Sequence, residues 1–158
     1  MLTKDNLISE IKEKFRTSCP NGMLLQWDRN RFYSSFSSLF IEYNIKNQTD
    51  FNYSYCNSFD IEMLSRGDAG EFYRIALKIS FIVDAYTVYL IQYSKNKKKG
   101  KVICEKNIEA QLCIEKIKHF MEKKGFQEIN DEFDIVVPDV KLELAEIATV
   151  GKCLFDDF

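Results

Sequence analysis

The chain has 158 residues, which suits one domain spanning 1–158 and is too few for two domains with good cores. Its 22 Lys and Arg against 24 Asp and Glu give a formal charge of −2, without the basic excess expected of a nucleic-acid binder. Six Gly and two Pro argue against disorder, and 13 Phe, 8 Tyr and one Trp favour a substantial sheet.

The first predicted element is a helix over residues 4–17. Thr3 is placed to cap it, Asp5 suits its first turn, and Leu7, Ile8, Ile11 and Phe15 form one apolar stripe. Cys19-Pro20-Asn21-Gly22 stops it. Met23 to Trp27 then reads as a short strand, and Trp27 has two readings, a buried residue at the start of a sheet or a contact residue at a strand end. Residues 31–45 alternate aromatic and serine positions and are read as a strand, although Phe32, Phe36 and Phe40 fall four apart as on a helix face. After a turn at 47–50, Phe51, Tyr53 and Tyr55 alternate with polar neighbours as in a strand. Arg66-Gly67-Asp68 lies in a glycine-containing loop, for which a turn is sufficient explanation.

The strongest sheet signal covers residues 71–94. Tyr73, Ile75, Leu77 and Ile79 share one face, Arg74, Lys78 and Ser80 the other, and a turn at Asp84-Ala85 leads to a second alternating run. The lysine-rich run at 95–101 is the next turn, with residues 101–104 a further strand. A second helix follows, capped by Asn107, with Ile108, Leu112, Cys113, Ile117, Phe120 and Met121 as its buried stripe and Gly125 as the residue after its end. The closing stretch from Val137 interleaves apolar residues with carboxylates and reads as a paired strand with an acidic outer face. The expected class is α+β: an antiparallel sheet with two main helices packed on one face.

Chemistry is harder to find. The five cysteines (Cys19, Cys56, Cys104, Cys113, Cys153) show no CxxC spacing, so neither a zinc frame nor a redox motif is expected. Their odd number, with no secretion signal at the N-terminus, points to the cytoplasm, and no window is apolar enough for a membrane span. The single histidine, His119, has no local nucleophile motif to serve. Carboxylate pairs such as Glu132/Asp134, Glu143/Glu146 and Asp156/Asp157 have the spacings that charged strand faces produce by default. No glycine-rich phosphate loop occurs. The expectation is therefore no catalytic residue, no metal and no cofactor.

The ending Val137-Pro138-Asp139-Val140, Leu142-Glu143-Leu144-Ala145-Glu146, Thr149-Val150 and Cys153-Leu154-Phe155-Asp156-Asp157 resembles the C-terminus of small bacterial immunity proteins encoded beside polymorphic or contact-dependent toxins. The resemblance implies a cytoplasmic, single-domain, non-enzymatic protein whose partner is a cognate toxin, neutralised by occlusion. The chain departs from a strongly acidic composition that would suit a basic nuclease, so the toxin need not be one. Under this reading Glu132, Asp134, Asp156, Asp157 and Trp27 are the expected toxin-binding residues, because exposed acids steer association and aromatics anchor it. The alternative is a small-molecule-binding or regulatory domain with a pocket lined by Phe51, Tyr53, Tyr55, Tyr86 and Tyr89.

Overall fold

The computed structural model describes residues 2–66, 72–93, 101–103 and 108–158. In chain order the elements are α1 (Lys4–Lys14), α2 (Tyr33–Leu39), β1 (Asn44–Asn47), β2 (Cys56–Arg66), β3 (Phe72–Ser80), β4 (Ala85–Tyr93), β5 (Lys101–Ile103), α3 (Ile108–Lys123), β6 (Gln127–Glu128) and α4 (Val150–Leu154). The class is α+β. The first five strands lie side by side in sequence order, every neighbouring pair antiparallel. Short β6 runs parallel to the start of β4, opposite Ala85 and Tyr86, while β5 pairs further along the same strand.

The hairpin expected at 71–94 is present, with Ile75 opposite Leu90 and Leu77 opposite Val88. Its bend lies slightly earlier than expected, where Phe81, Ile82 and Val83 bury their side chains. Alternation along β2, β3 and β4 sends Phe59, Ile61, Ile75, Leu77, Ile79, Tyr86 and Val88 into one core under α2 and α3. A second cluster sits where α1, α4 and the C-terminal segment meet the bend, built from Leu7, Ile11, Phe15, Phe81, Leu142, Cys153, Leu154 and Phe155. The helix beside α3 on the sheet face is thus short α2, and α1 packs against α4.

The Thr3 cap of α1 forms, its hydroxyl accepting from Asn6 N at 3.2 Å. Gly125 takes φ +86 just beyond α3, a conformation only glycine adopts without strain. In α3 the buried stripe is Ala110, Cys113, Ile117 and Met121. Ile108 and Leu112, expected on that stripe, are exposed, because Leu112 stands 100° around the helix from Cys113.

Four expected strands take other forms. Residues 23–27 form a turn, with Trp27 N donating to Gly22 O and Gln26 at φ 59; a run of five residues with no neighbouring strand to pair with does not make a strand. Most of 31–45 is helix α2 followed by β1, since the spacing of four drops Phe36 onto Phe59 and Phe120, with ring centroids 6.0 and 5.0 Å away. Burial of those rings overrides the weak helix propensity of the serines. At 51–55, Tyr53 is left-handed (φ 53) and regular pairing begins only at Cys56. The closing stretch is mainly loop with α4, joined to the rest by two isolated bridges, Ser54 with Asp156 and Val136 with Thr149. Strand β2, the longest among the described residues, has no counterpart among the sequence expectations, although Phe59, Ile61 and Met63 alternate with Ser58, Asp60 and Glu62. The loop at 67–70, the lysine-rich turn at 95–100, Cys104 and the Asn107 cap lie outside the described residues.

Candidate functional site

The C-terminal segment is held in place by a buried carboxylate. Asp157 is fully buried, and its two oxygens accept from three consecutive backbone N–H groups: Glu143 at 2.8 Å, Leu144 at 3.2 Å and Ala145 at 2.8 Å. Tyr55 donates its hydroxyl to the same carboxylate at 3.3 Å. A buried anion is tolerated only when hydrogen-bonded this fully, and the arrangement fixes a loop that has no regular pairing of its own. Asp157 therefore has no surface with which to meet a partner, contrary to the sequence expectation.

Upstream, residues 135–137 run antiparallel to 148–150. Val137 N donates to Ala148 O at 2.9 Å and Val150 N to Ile135 O at 2.8 Å. This ribbon follows the period of two: Val137, Ala148 and Val150 are buried, while Val136 and Ile147 are 56% and 58% exposed. Asp134 is exposed in the turn just before the ribbon, and Leu144, Glu143 and Glu146 are exposed further along the loop. The ribbon thus presents large apolar side chains interspersed with carboxylates, on a backbone already ordered.

The other expected contact residues are dispersed. Glu132 is half-buried and accepts from Asn130 N at 3.3 Å. Asp156 pairs with the Lys78 ammonium and accepts from the Ser54 hydroxyl at 2.9 Å. Burial opposes the charge on Lys78, but Asp156 and Tyr89 outweigh it and the ammonium is held above its ordinary range. Trp27 sits apart, on the turn at 23–27. Its ring stacks on Phe81 at 5.4 Å, and the Arg31 guanidinium lies 5.0 Å over it. Arg31 in turn donates to Ser80 O at 2.8 Å, while burial pulls its pKa below the ordinary value. Neither reading of Trp27 is complete: it is 36% exposed, covers Arg31 and borders a groove of about 580 Å³ with Leu24 and Leu25.

The face of the sheet away from α2 and α3 carries a charge ladder. Lys46, Glu62 and Arg74 join in sequence, at 2.9 Å and 3.3 Å, with Asp60 at 3.9 Å from Arg74. The Arg74 guanidinium also lies 5.6 Å and 5.3 Å from the ring centroids of Phe72 and Tyr93, which stack on each other. Lysine and asparagine hydrogen bonds hold Glu62 below the usual carboxylate range, whereas burial pushes Asp60 up against the pull of Arg74.

Of the five residues expected to line a pocket, Phe51, Tyr55 and Tyr86 are core and Tyr53 is exposed. Tyr89 borders a hollow on the open sheet face, a position that its alternation with Val88 already implied. His119 is exposed on α3. The four described cysteines are free thiols, and burial pushes Cys56 and Cys153 each up to about 12, away from nucleophilic use at neutral pH. No helix among the described residues is long and apolar enough to cross a membrane. Comparison of the chain with protein-family models, with curated proteins and with solved structures gave no match.

Proposed function

We propose that this protein is a stoichiometric, non-enzymatic inhibitor that occludes a partner protein, in the manner of bacterial immunity proteins. The observation that carries the reading is the ribbon of 135–137 and 148–150, whose connecting loop is pinned by Asp157. A binding surface gains affinity when its backbone is ordered before the encounter, because less conformational entropy is lost. Exposed Val136, Ile147 and Leu144 supply apolar anchors, and Asp134, Glu143 and Glu146 supply charges that select and steer a partner with basic and apolar residues. Within the sequence-expected set, Asp134 keeps this role. The partner in this reading is a cognate toxin and the setting is the cytoplasm.

The test is growth of cells that express the toxin encoded by the neighbouring gene, together with association rates of the purified pair. Asp134→Lys combined with Glu146→Lys should slow association about tenfold and reduce its salt dependence, since rim charges act on encounter. Val136→Asp should speed dissociation. His119→Ala should protect as well as wild type. Full protection by the combined Asp134→Lys, Val136→Asp and Glu146→Lys variant, or loss of protection by folded His119→Ala, would overturn the reading.

A further inference from the structure

The turn at 23–27 holds three consecutive large apolar side chains in water: Met23 is 66%, Leu24 84% and Leu25 57% exposed. Such exposure disfavours the free protein, yet the backbone is built to keep it. Leu24 N donates to Asn21 Oδ1 at 3.0 Å, Leu25 N to Asn21 O at 2.9 Å and Trp27 N to Gly22 O at 2.9 Å. Gln26 takes φ 59, uncommon outside glycine, and Gly22 lies so close to the Phe51 ring that a Cβ there would overlap it. The Trp27 ring is stacked on Phe81 at 5.4 Å. An apolar knob ordered in this way is a surface for another molecule.

The groove of about 580 Å³ beside the knob is lined by Leu24, Leu25, Trp27, Phe81 and Cys19, and Lys14 is the one charged residue of its lining among the described residues. Its chemistry therefore fits an apolar side chain. Cys19 joins the groove to the ribbon's loop: its thiol donates to Lys141 O at 3.4 Å, two residues before Glu143 and three before Leu144. Lys12 of α1 pairs with Asp139 at 3.3 Å, so the same loop runs along the end of the molecule that carries the groove. This continuity singles out the occupant. A specific complex uses roughly 20–30 residues and about 800 Å² a side, more than Val136, Ile147, Leu144 and the acids beside them supply. We infer that the groove and knob are the second half of the inhibitory surface, the groove receiving a large apolar side chain of the same partner protein. The inference rests on the inhibitor reading. It gives Trp27 a contact role, as an anchor whose ring Phe81 already holds in place.

The experiment measures the Kd of the full chain for the toxin encoded by the neighbouring gene, together with the melting temperature of each variant. Leu24→Ser combined with Leu25→Ser should raise Kd at least about 30-fold, mainly through faster dissociation, and melt close to wild type because both side chains are exposed. Leu112→Ser, on α3 and 55% exposed, should bind as wild type does. Weakening by the ribbon variants (Val136→Asp, or Asp134→Lys with Glu146→Lys) but not by the leucine pair would overturn the inference and leave the inhibitor reading standing. Wild-type binding by both sets, or no complex with the wild-type chain, would overturn both. Dimers of the free chain, or its sedimentation with phosphatidylglycerol vesicles, abolished by the leucine pair while toxin affinity is unchanged, would assign the knob to a second copy or a lipid surface and overturn the inference.

Discussion

Two buried tyrosines show how the value of a hydroxyl depends on its partner. Tyr86 is fully buried and its hydroxyl has no partner among the described residues, whereas Tyr55, equally deep, donates to Asp157 at 3.3 Å. A buried group without a hydrogen bond costs about 1–3 kcal/mol, and a bond to a charged acceptor contributes about 1.5–3 kcal/mol. Tyr86→Phe should therefore stabilise the protein by about 1 kcal/mol, and Tyr55→Phe should destabilise it by about 2 kcal/mol. Urea midpoints at neutral pH measure both. A Tyr86→Phe variant less stable than wild type would mean that the hydroxyl is satisfied in solution.

At the scale of elements, α4 and the residues after it act as a latch. Thr149 caps the helix through Lys152 N, and Gly151 lies so close to the Phe133 ring that a Cβ there would overlap it. Leu154 and Phe155 are buried in the cluster at the sheet's end, Tyr55 N donates to Phe155 O, and Asp157 holds the loop at 143–145. Loss of each large core side chain costs about 2–5 kcal/mol. Deleting residues 153–158 removes two such side chains and the buried carboxylate together, comparable with the whole stability of about 5–15 kcal/mol of an ordinary domain. The truncated chain should lose its cooperative thermal transition. Melting at the wild-type temperature would show that the segment is an appendage.

Across the whole molecule, the buried titrating groups set the pH range of stability. Lys78 has a folded pKa above its ordinary 10.5, so its contribution is complete below that value and is lost as pH rises towards the folded one. Burial raises Tyr55 and Tyr86 above their ordinary 10.0, with nearby carboxylates adding to the shift. Above that pH the unfolded chain releases protons that the folded chain keeps, which again favours unfolding. The two effects share a sign, and stability should fall steeply above the tyrosine value of 10.0. On the acid side Glu62, held low, loses its contribution as pH falls below 4.5, while Asp60, pushed up, gains from protonation and partly offsets it. Unfolding free energies measured from acid to alkaline pH should show a shallow acid limb and a steep alkaline one, less steep in Tyr86→Phe. A flat alkaline limb would contradict this account.

The sequence alone determined the α+β class, the β3–β4 hairpin, and helices α1 and α3 with the Thr3 cap and the Gly125 end. Those signals are local: a period, a cap or a left-handed glycine is complete within one element and its neighbour. Only the tertiary structure decided the segments at 23–27, 31–45, 51–55 and 137–158. Short apolar runs there fit more than one period, and at 31–45 the choice fell to distant partners, Phe59 and Phe120 around Phe36. The acids near the chain end were visible as a cluster, but their fates were not. Lys78, 78 residues away, engages Asp156; Tyr55, 102 residues away, and a nearby loop enclose Asp157; Asp134 stays in water. A carboxylate is identical in sequence whether exposed or enclosed, because the groups that stabilise its charge are brought to it only when the chain folds.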